Sequence, residues 1–244
     1  MRIALVGTAN SGKSTLLKAF LRRWPMYGTP VKTYRDVLVE NKFEHSSKTS
    51  EEVQLTILDF MMKEQEKYVL GDKIIYDRCS LDNLAYTLQA NASNLISDEV
   101  TAASISLVRE SMKNIDIIFW LKYDPSIRVV DDGLRDTDIE FIKGTDKVFA
   151  DLFHQYVENL ESDIFFPAND CPAMIMVEGK TVDDRIDFVA EFIDIKGELI
   201  ETENSVLDPA NVDMLEQMME DQKKQGINDD QLKRVIQSFK TPTR

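Results

Sequence analysis

The chain has 244 residues, a net charge of −14 and an apolar fraction of 43%, which suits one globular domain or one domain with an appendage. No apolar run approaches the roughly 18 residues that a membrane span needs. Met1-Arg2-Ile3 leads straight into an apolar segment, so no signal peptide and a cytoplasmic location are expected. The two cysteines, Cys79 and Cys171, have no metal-binding spacing and read as free thiols. With only His45 and His154, a histidine-rich metal site is not expected. The charge is uneven. Residues 1–50 carry nine Lys/Arg against three Asp/Glu, about +6, and the remainder about −20. A basic N-terminal segment suits a local anionic ligand, whereas the acidic remainder argues against broad coating of nucleic acid.

In chain order, Arg2–Val6 is a short apolar run with the composition of a strand. Gly7-Thr8-Ala9-Asn10-Ser11-Gly12-Lys13-Ser14 follows and fits G-x-x-x-x-G-K-[ST], the phosphate-binding loop. Thr15–Leu21 then has helical composition. Strand, glycine loop and helix form the context in which this motif is specific. The glycines let backbone amides turn onto phosphate oxygens, and the helix offers its positive end. Lys13 is expected to reach the β- and γ-phosphates, Ser14 to hold Mg²⁺, and residues from Gly7 to Thr15 to form the ATP cradle. Lys18, Arg22 and Arg23 read as the solvated outer face of that helix.

Val31–Tyr34 reads as a short edge strand. Thr49-Ser50-Glu51-Glu52 has capping-box spacing, and Val53, Ile57, Met61 and Tyr68 then recur near a helical period. Asp72–Asp77 is a second buried strand ending in a carboxylate, Ile115–Leu121 a third and Ala173–Val177 a fourth. Residues 80–90, 98–113, 138–160 and 181–194 read as helices, the last opening on a capping box at Thr181–Asp184. Alternating helices and continuous apolar strands predict an α/β fold with a doubly wound parallel sheet over residues 1–197. Residues 198–244 read as a helical C-terminal appendage, with amphipathic helices over 208–224 and 228–240. Its docking and its self-association are both open at this level.

The surroundings of the loop narrow its use. A guanine-reading N-K-x-D is missing, since Asn41-Lys42-Phe43-Glu44 falls too early and ends in Glu. A motor ATPase commonly ends a strand in Asp-Glu, but here the strand ends Tyr76-Asp77-Arg78. Arginine cannot act as a base, yet it can hold an anionic group. Asp77 therefore has two readings, a metal-assisting carboxylate or a turn cap, and Arg78 either serves the site or pairs with Asp82 one helical turn on.

A strand ending in Asp-Arg after a phosphate loop resembles the thymidylate and deoxynucleoside kinase group. Thr33-Tyr34-Arg35-Asp36 resembles the acceptor-side carboxylate segment of such kinases. Asp132-Gly133-Leu134-Arg135-Asp136-Thr137-Asp138 resembles their arginine-bearing lid. The resemblance covers roughly residues 1–195. Together with Tyr76-Asp77-Arg78-Cys79-Ser80-Leu81-Asp82-Asn83, these motifs resemble phage-type P-loop kinases. One subgroup of those phosphorylates 5-hydroxymethyluracil within viral DNA, which would act in the host cytoplasm. Others act on free deoxynucleotides or nicotinamide riboside. The resemblance implies ATP and Mg²⁺ as cofactors and a nucleoside-type acceptor, within DNA in that subgroup. It implies catalytic roles for Lys13, Asp36, Asp77, Arg78 and Arg135, and Mg²⁺ held at Ser14 and Asp77. Asp36 is the first choice for orienting the acceptor hydroxyl and taking its proton, and Asp77 shares the base role or assists the metal. Each has a plainer counterpart: Asp36 as a helix cap, Arg135 as one member of a surface ion pair. Arg35 and Arg128 are reserve substrate and lid residues, and Tyr34 or Trp24 could stack on a base. An ATP-driven switch with partner-binding C-terminal helices is the contrasting reading.

Overall fold

Four short runs rich in Ile, Val, Phe and Trp form the centre of the molecule because both faces of each are covered. The computed structural model describes residues 1–43, 49–127, 138–158, 164–167, 169–200 and 229–240. Strands β1 (Arg2–Val6), β2 (Ile74–Asp77), β3 (Ile117–Trp120) and β4 (Ala173–Met176) pair in parallel in the order β2-β1-β3-β4. Ile3 is opposite Ile75 on one side and Ile117 on the other. Strand periodicity then sends alternate side chains to two cores. Ala4, Val6, Ile74, Tyr76, Ile118 and Trp120 enter one, and Ile3, Leu5, Ile75, Ile117 and Phe119 enter the other.

Helices α1 (Lys13–Arg23), α2 (Tyr34–Asn41), α3 (Glu51–Glu66), α4 (Ser80–Ala92), α5 (Asp98–Ser111), α6 (Ile139–Glu158) and α7 (Val182–Val189) fill the connections. α1 and α7 supply Leu16, Phe20, Ile186 and Val189 to the core holding Ile3. α3 to α6 cover the other face, with Leu58, Leu84, Leu88, Ile105, Val108 and Phe149. The doubly wound α/β architecture is the one expected from the alternating pattern.

The edge strand expected at Val31–Tyr34 does not form. Gly28 makes a single parallel bridge with Ile74, its amide donating to the Lys73 carbonyl at 2.9 Å and its carbonyl accepting from Ile75 at 2.9 Å. In that register the next donor would come from Pro30, which has no N–H, so the ladder stops. Val31 is 98% exposed, and Tyr34 instead begins α2. A smaller correction concerns α3. Its N-cap is Ser50, whose side chain accepts from the Val53 amide, while Thr49 accepts from the Gln54 side chain at 2.9 Å. The capping box at Thr181–Asp184 forms as expected, although α7 stops at Val189.

The described part of the C-terminal stretch is helix α8 (Asp229–Lys240), which packs on α4 and α5. Ile236 is 2% exposed, Phe239 meets Phe165 edge-on at 5.9 Å, and Lys240 pairs with Asp98 at 2.6 Å. Its apolar stripe is thus used within the chain. The helix expected over 208–224 lies outside the described residues. Among the described residues, no helix is long and apolar enough to cross a membrane.

Candidate active site

The phosphate loop leaves β1 with three residues in the left-handed region, Gly7 at φ 138°, Asn10 at 59° and Gly12 at 94°. The two glycines are needed for space as well as for φ. A Cβ on Gly7 would collide with the Leu121 carbonyl oxygen, and one on Gly12 would lie 2.7 Å from Arg185 Nη1. Lys13 is buried, and its Nζ donates to the carbonyls of Gly7 at 2.7 Å and Thr8 at 2.6 Å and to Ser11 Oγ at 3.2 Å. The ammonium is thereby fixed over the loop rather than left to wander in solvent.

Ser14, in the first turn of α1, donates its hydroxyl to Asp77 Oδ2 at 3.0 Å. The parallel pairing of β1 with β2, Leu5 opposite Asp77, delivers the carboxylate to that point. A hydroxyl and a carboxylate side by side are hard oxygen donors that fit Mg²⁺. Among the described residues there is no cluster of three or more His, Cys, Asp or Glu side chains that could hold a metal. A cation here would therefore complete its shell with phosphate and water oxygens.

Arg78 follows with φ 82°, an uncommon conformation for a side-chain-bearing residue. Its guanidinium donates to Asp82 at 3.0 Å, to the Gly7 carbonyl at 3.3 Å and to Tyr86 Oη at 3.3 Å. It also lies over the rings of Tyr34 at 5.2 Å and Tyr86 at 5.1 Å. Burial alone would lower its pKa, but Tyr86, Tyr34, Asp82 and Asp77 outweigh that and raise it. The pairing with Asp82 and the position in the site are therefore both present, not alternatives. Asp82 is buried, and burial raises its carboxyl pKa against the pull of Arg78 and Lys13 and of the Cys79 and Gly7 amides. Those amides donate at 3.1 and 3.2 Å.

The loop, α2, α3 and the first turns of α4 line an open cleft. One end is lined by residues 9–15 with Asp77. The other is lined by Tyr34, Arg35 and Leu38 of α2, by Gln54 and Ile57 of α3, and by Asn83 and Tyr86 of α4. Gln54 and Asn83 come from helices far apart in sequence. The Asn83 amide group donates to the Gln54 backbone carbonyl at 3.0 Å and to Gln54 Oε1 at 2.8 Å. These two bonds fix which way the Asn83 amide faces. Its Oδ1 is buried without a partner among the described residues, in a residue only 4% exposed that lines the cleft. Gln54 carries no motif, and Asn83 stands at the end of the Tyr76–Asn83 segment with no role of its own read there. Their contact is visible only once α3 and α4 are known to face each other.

The structure brings Lys13, Ser14, Asp77 and Arg78 together as expected, with Tyr34 and Arg35 beside them. It does not bring Asp36. That carboxylate is exposed and turns back on its own helix, accepting from Thr33 N at 2.7 Å and Thr33 Oγ1 at 2.9 Å. These two bonds hold its pKa below the usual carboxylate value. Because Pro30 ends the sheet early, the segment enters α2 sooner than a strand would allow, and Asp36 becomes the third residue of a helix. Trp24 is likewise removed from any stacking role. It is 1% exposed, and its indole N–H donates to the Asp194 carbonyl at 2.7 Å. Arg135 and Arg128 lie outside the described residues. Neither cysteine is in a disulfide; Cys79 is buried and Cys171 exposed.

With this geometry in place, comparison gives the family. An AAA domain matches residues 2–159, about two thirds of the chain. The chain belongs to the AAA domain family. The matched segment runs from β1 through α6 and so holds all the cleft residues named above. None of the curated proteins matches the chain. Among solved structures, the AAA domain and its flanks are similar to a deoxyadenosine kinase from M. mycoides with the products dCMP and dCDP. The identity there is 17% and the TM-score 0.58, covering 78% of this chain and 97% of that one. A thymidylate kinase from Candida albicans is similar at 18% identity and TM-score 0.53, with 82% and 95% covered. A NadR protein in complex with NR is similar at 16% identity and TM-score 0.55, with 84% of this chain and 54% of that one. The chain therefore has the P-loop kinase fold.

Proposed function

We propose that the chain is an ATP-dependent kinase that moves the γ-phosphate to a hydroxyl of a nucleoside moiety. The observation that carries this reading is the single cleft in which a phosphate loop, the Ser14–Asp77 pair and Arg78 share walls with Tyr34, Tyr86 and Asn83. Such a cleft has a donor end and an acceptor end, and phosphoryl transfer needs little beyond alignment, charge neutralisation and exclusion of water. Three solved structures of the same fold have the names of nucleoside or nucleotide kinases or hold NR, which supports the class of acceptor.

In this reading Lys13 and the loop amides hold the β- and γ-phosphates. Ser14 and Asp77 would hold Mg²⁺, which when bound would neutralise negative charge on the phosphates. With Asp36 turned away, Asp77 is the carboxylate that orients the acceptor hydroxyl. Arg78 steadies the transferring group. Tyr34 and Tyr86 flank an aromatic base, and Asn83 Oδ1 accepts from an N–H on its edge. Uracil-type imides, exocyclic amines and carboxamides all provide such a donor. Arg78 follows Asp77 where a motor ATPase commonly has the glutamate that activates water, which speaks against a hydrolytic switch.

The acceptor that the motifs favour is the 5-hydroxymethyl group of 5-hydroxymethyluracil within DNA. Purified protein with γ-labelled ATP and Mg²⁺ would be given hydroxymethyluracil DNA, thymine DNA, free deoxynucleosides and deoxynucleotides, and nicotinamide riboside. Label on hydroxymethyluracil DNA alone is the expected result. Label only on a free acceptor would sink the DNA acceptor and keep the kinase. Acceptor-independent hydrolysis with no labelled product would sink both.

A further inference from the structure

Arg185, in the first turn of α7, reaches across the molecule to the phosphate loop. Its Nη1 donates to the Ser11 carbonyl at 2.9 Å and its Nε to the Gly179 carbonyl at 3.0 Å. The side chain is buried at 8% exposure, and no carboxylate of the described residues pairs with it. Burial lowers its pKa, and Asp124 opposes this from beyond ion-pairing distance. A guanidinium withdrawn from water without a carboxylate partner is costly, and an apolar side chain of similar volume would pack at less cost. The surroundings suggest what the charge does. Where a loop amide turns inward to meet a phosphate, the carbonyl of the same peptide unit turns outward, and a donor behind it fixes that orientation. Arg185 is such a donor for Ser11. Gly12 completes the fit, since only a residue without a Cβ leaves room for Nη1.

We propose that Arg185 is a positioning residue of the donor site: it holds the outer side of the phosphate loop through the Ser11 carbonyl and ties the β4–α7 turn to it. It thereby presets the amides for a nucleotide's phosphates and adds positive potential behind them. The inference rests on the loop being a nucleotide site.

Wild type, Arg185→Met and Arg185→Lys would be compared by calorimetric binding of MgATP and MgADP, by Tm without nucleotide, and by steady-state kinetics. Arg185→Met is expected to weaken both nucleotides by about 10- to 100-fold, the worth of one charge-assisted interaction. KM for ATP rises by the same factor, while kcat at saturating ATP and KM for the acceptor stay within about twofold. Arg185→Lys keeps the charge and recovers part of the affinity. Wild-type affinity in Arg185→Met would overturn the proposal. So would an affinity loss in both variants that tracks a fall in nucleotide-free Tm, since a purely structural contact behaves that way. Failure of the wild type to bind MgATP would remove the nucleotide reading beneath it.

Discussion

Asp77 and Asp36 show how the same side chain takes different work from its surroundings. Asp77 stands at the end of a buried strand beside Ser14, whereas Asp36 caps its own helix in water. Asp77→Asn is expected to retain most MgATP-independent stability and to lower transfer by about 10²-fold or more, read from single-turnover kinetics. Asp36→Asn is expected to leave turnover within about twofold; a loss comparable to that of Asp77→Asn would return Asp36 to the site. Asn83→Leu should keep ATP binding and raise the acceptor KM by about 10- to 100-fold, because an edge N–H loses its acceptor. Lys13, Ser14, Asp77 and the Arg78–Asp82 pair were legible in the sequence because each depends on local spacing or on the end of a strand. The contact of Asn83 with Gln54 was not, because it is a property of two helices meeting. Arg185 was not, because it lies 174 residues from Ser11.

At the level of elements, one imino acid accounts for the main departure from expectation. Val31–Tyr34 has the β-branched and aromatic content of a strand, and Pro30 overrides it by removing the donor that the second rung requires. The two central strands, β1 and β3, are buried along their whole length, whereas the edge strand β4 is only partly buried. Two helix starts share a pH dependence. Asp36 and Asp184 each accept from a threonine one turn back, and those bonds lower both pKa values. A lowered folded-state pKa means stability present above the unfolded value and lost as pH falls through the folded one. Acid unfolding monitored by circular dichroism below about pH 4 should therefore be less steep in the Asp36→Asn, Asp184→Asn double variant. An unchanged profile would deny these caps a role. Helix α8 contributes by packing rather than by charge. Ile236→Ala is expected to cost about 2–4 kcal/mol, whereas Lys240→Ala, which removes a partly exposed ion pair, should cost about 1 kcal/mol or less. Equal losses by chemical denaturation would contradict this division.

Across the whole molecule, the sheet sets the phosphate loop, Asp77 and Arg78 at the carboxyl ends of β1 and β2, and α2 to α4 wall the cleft over them. A ligand that binds only the folded chain raises its stability, by about 2.7 kcal/mol at a hundredfold excess over Kd. MgATP should therefore raise Tm, Lys13→Ala should abolish the rise, and an unchanged shift in that variant would place nucleotide elsewhere. The two halves are joined at one residue, Gly7. The Gly7 carbonyl accepts from both Lys13 and Arg78, and the Gly7 amide donates to Asp82. An acceptor that draws Arg78 toward itself takes a donor away from that carbonyl and shifts the bonding of the lysine that meets the other substrate. In the proposed kinase, occupancy of one end would thus be felt at the other, and thermodynamic linkage would make the influence equal in both directions. The order in which the substrates arrive can alter the rates but not that coupling.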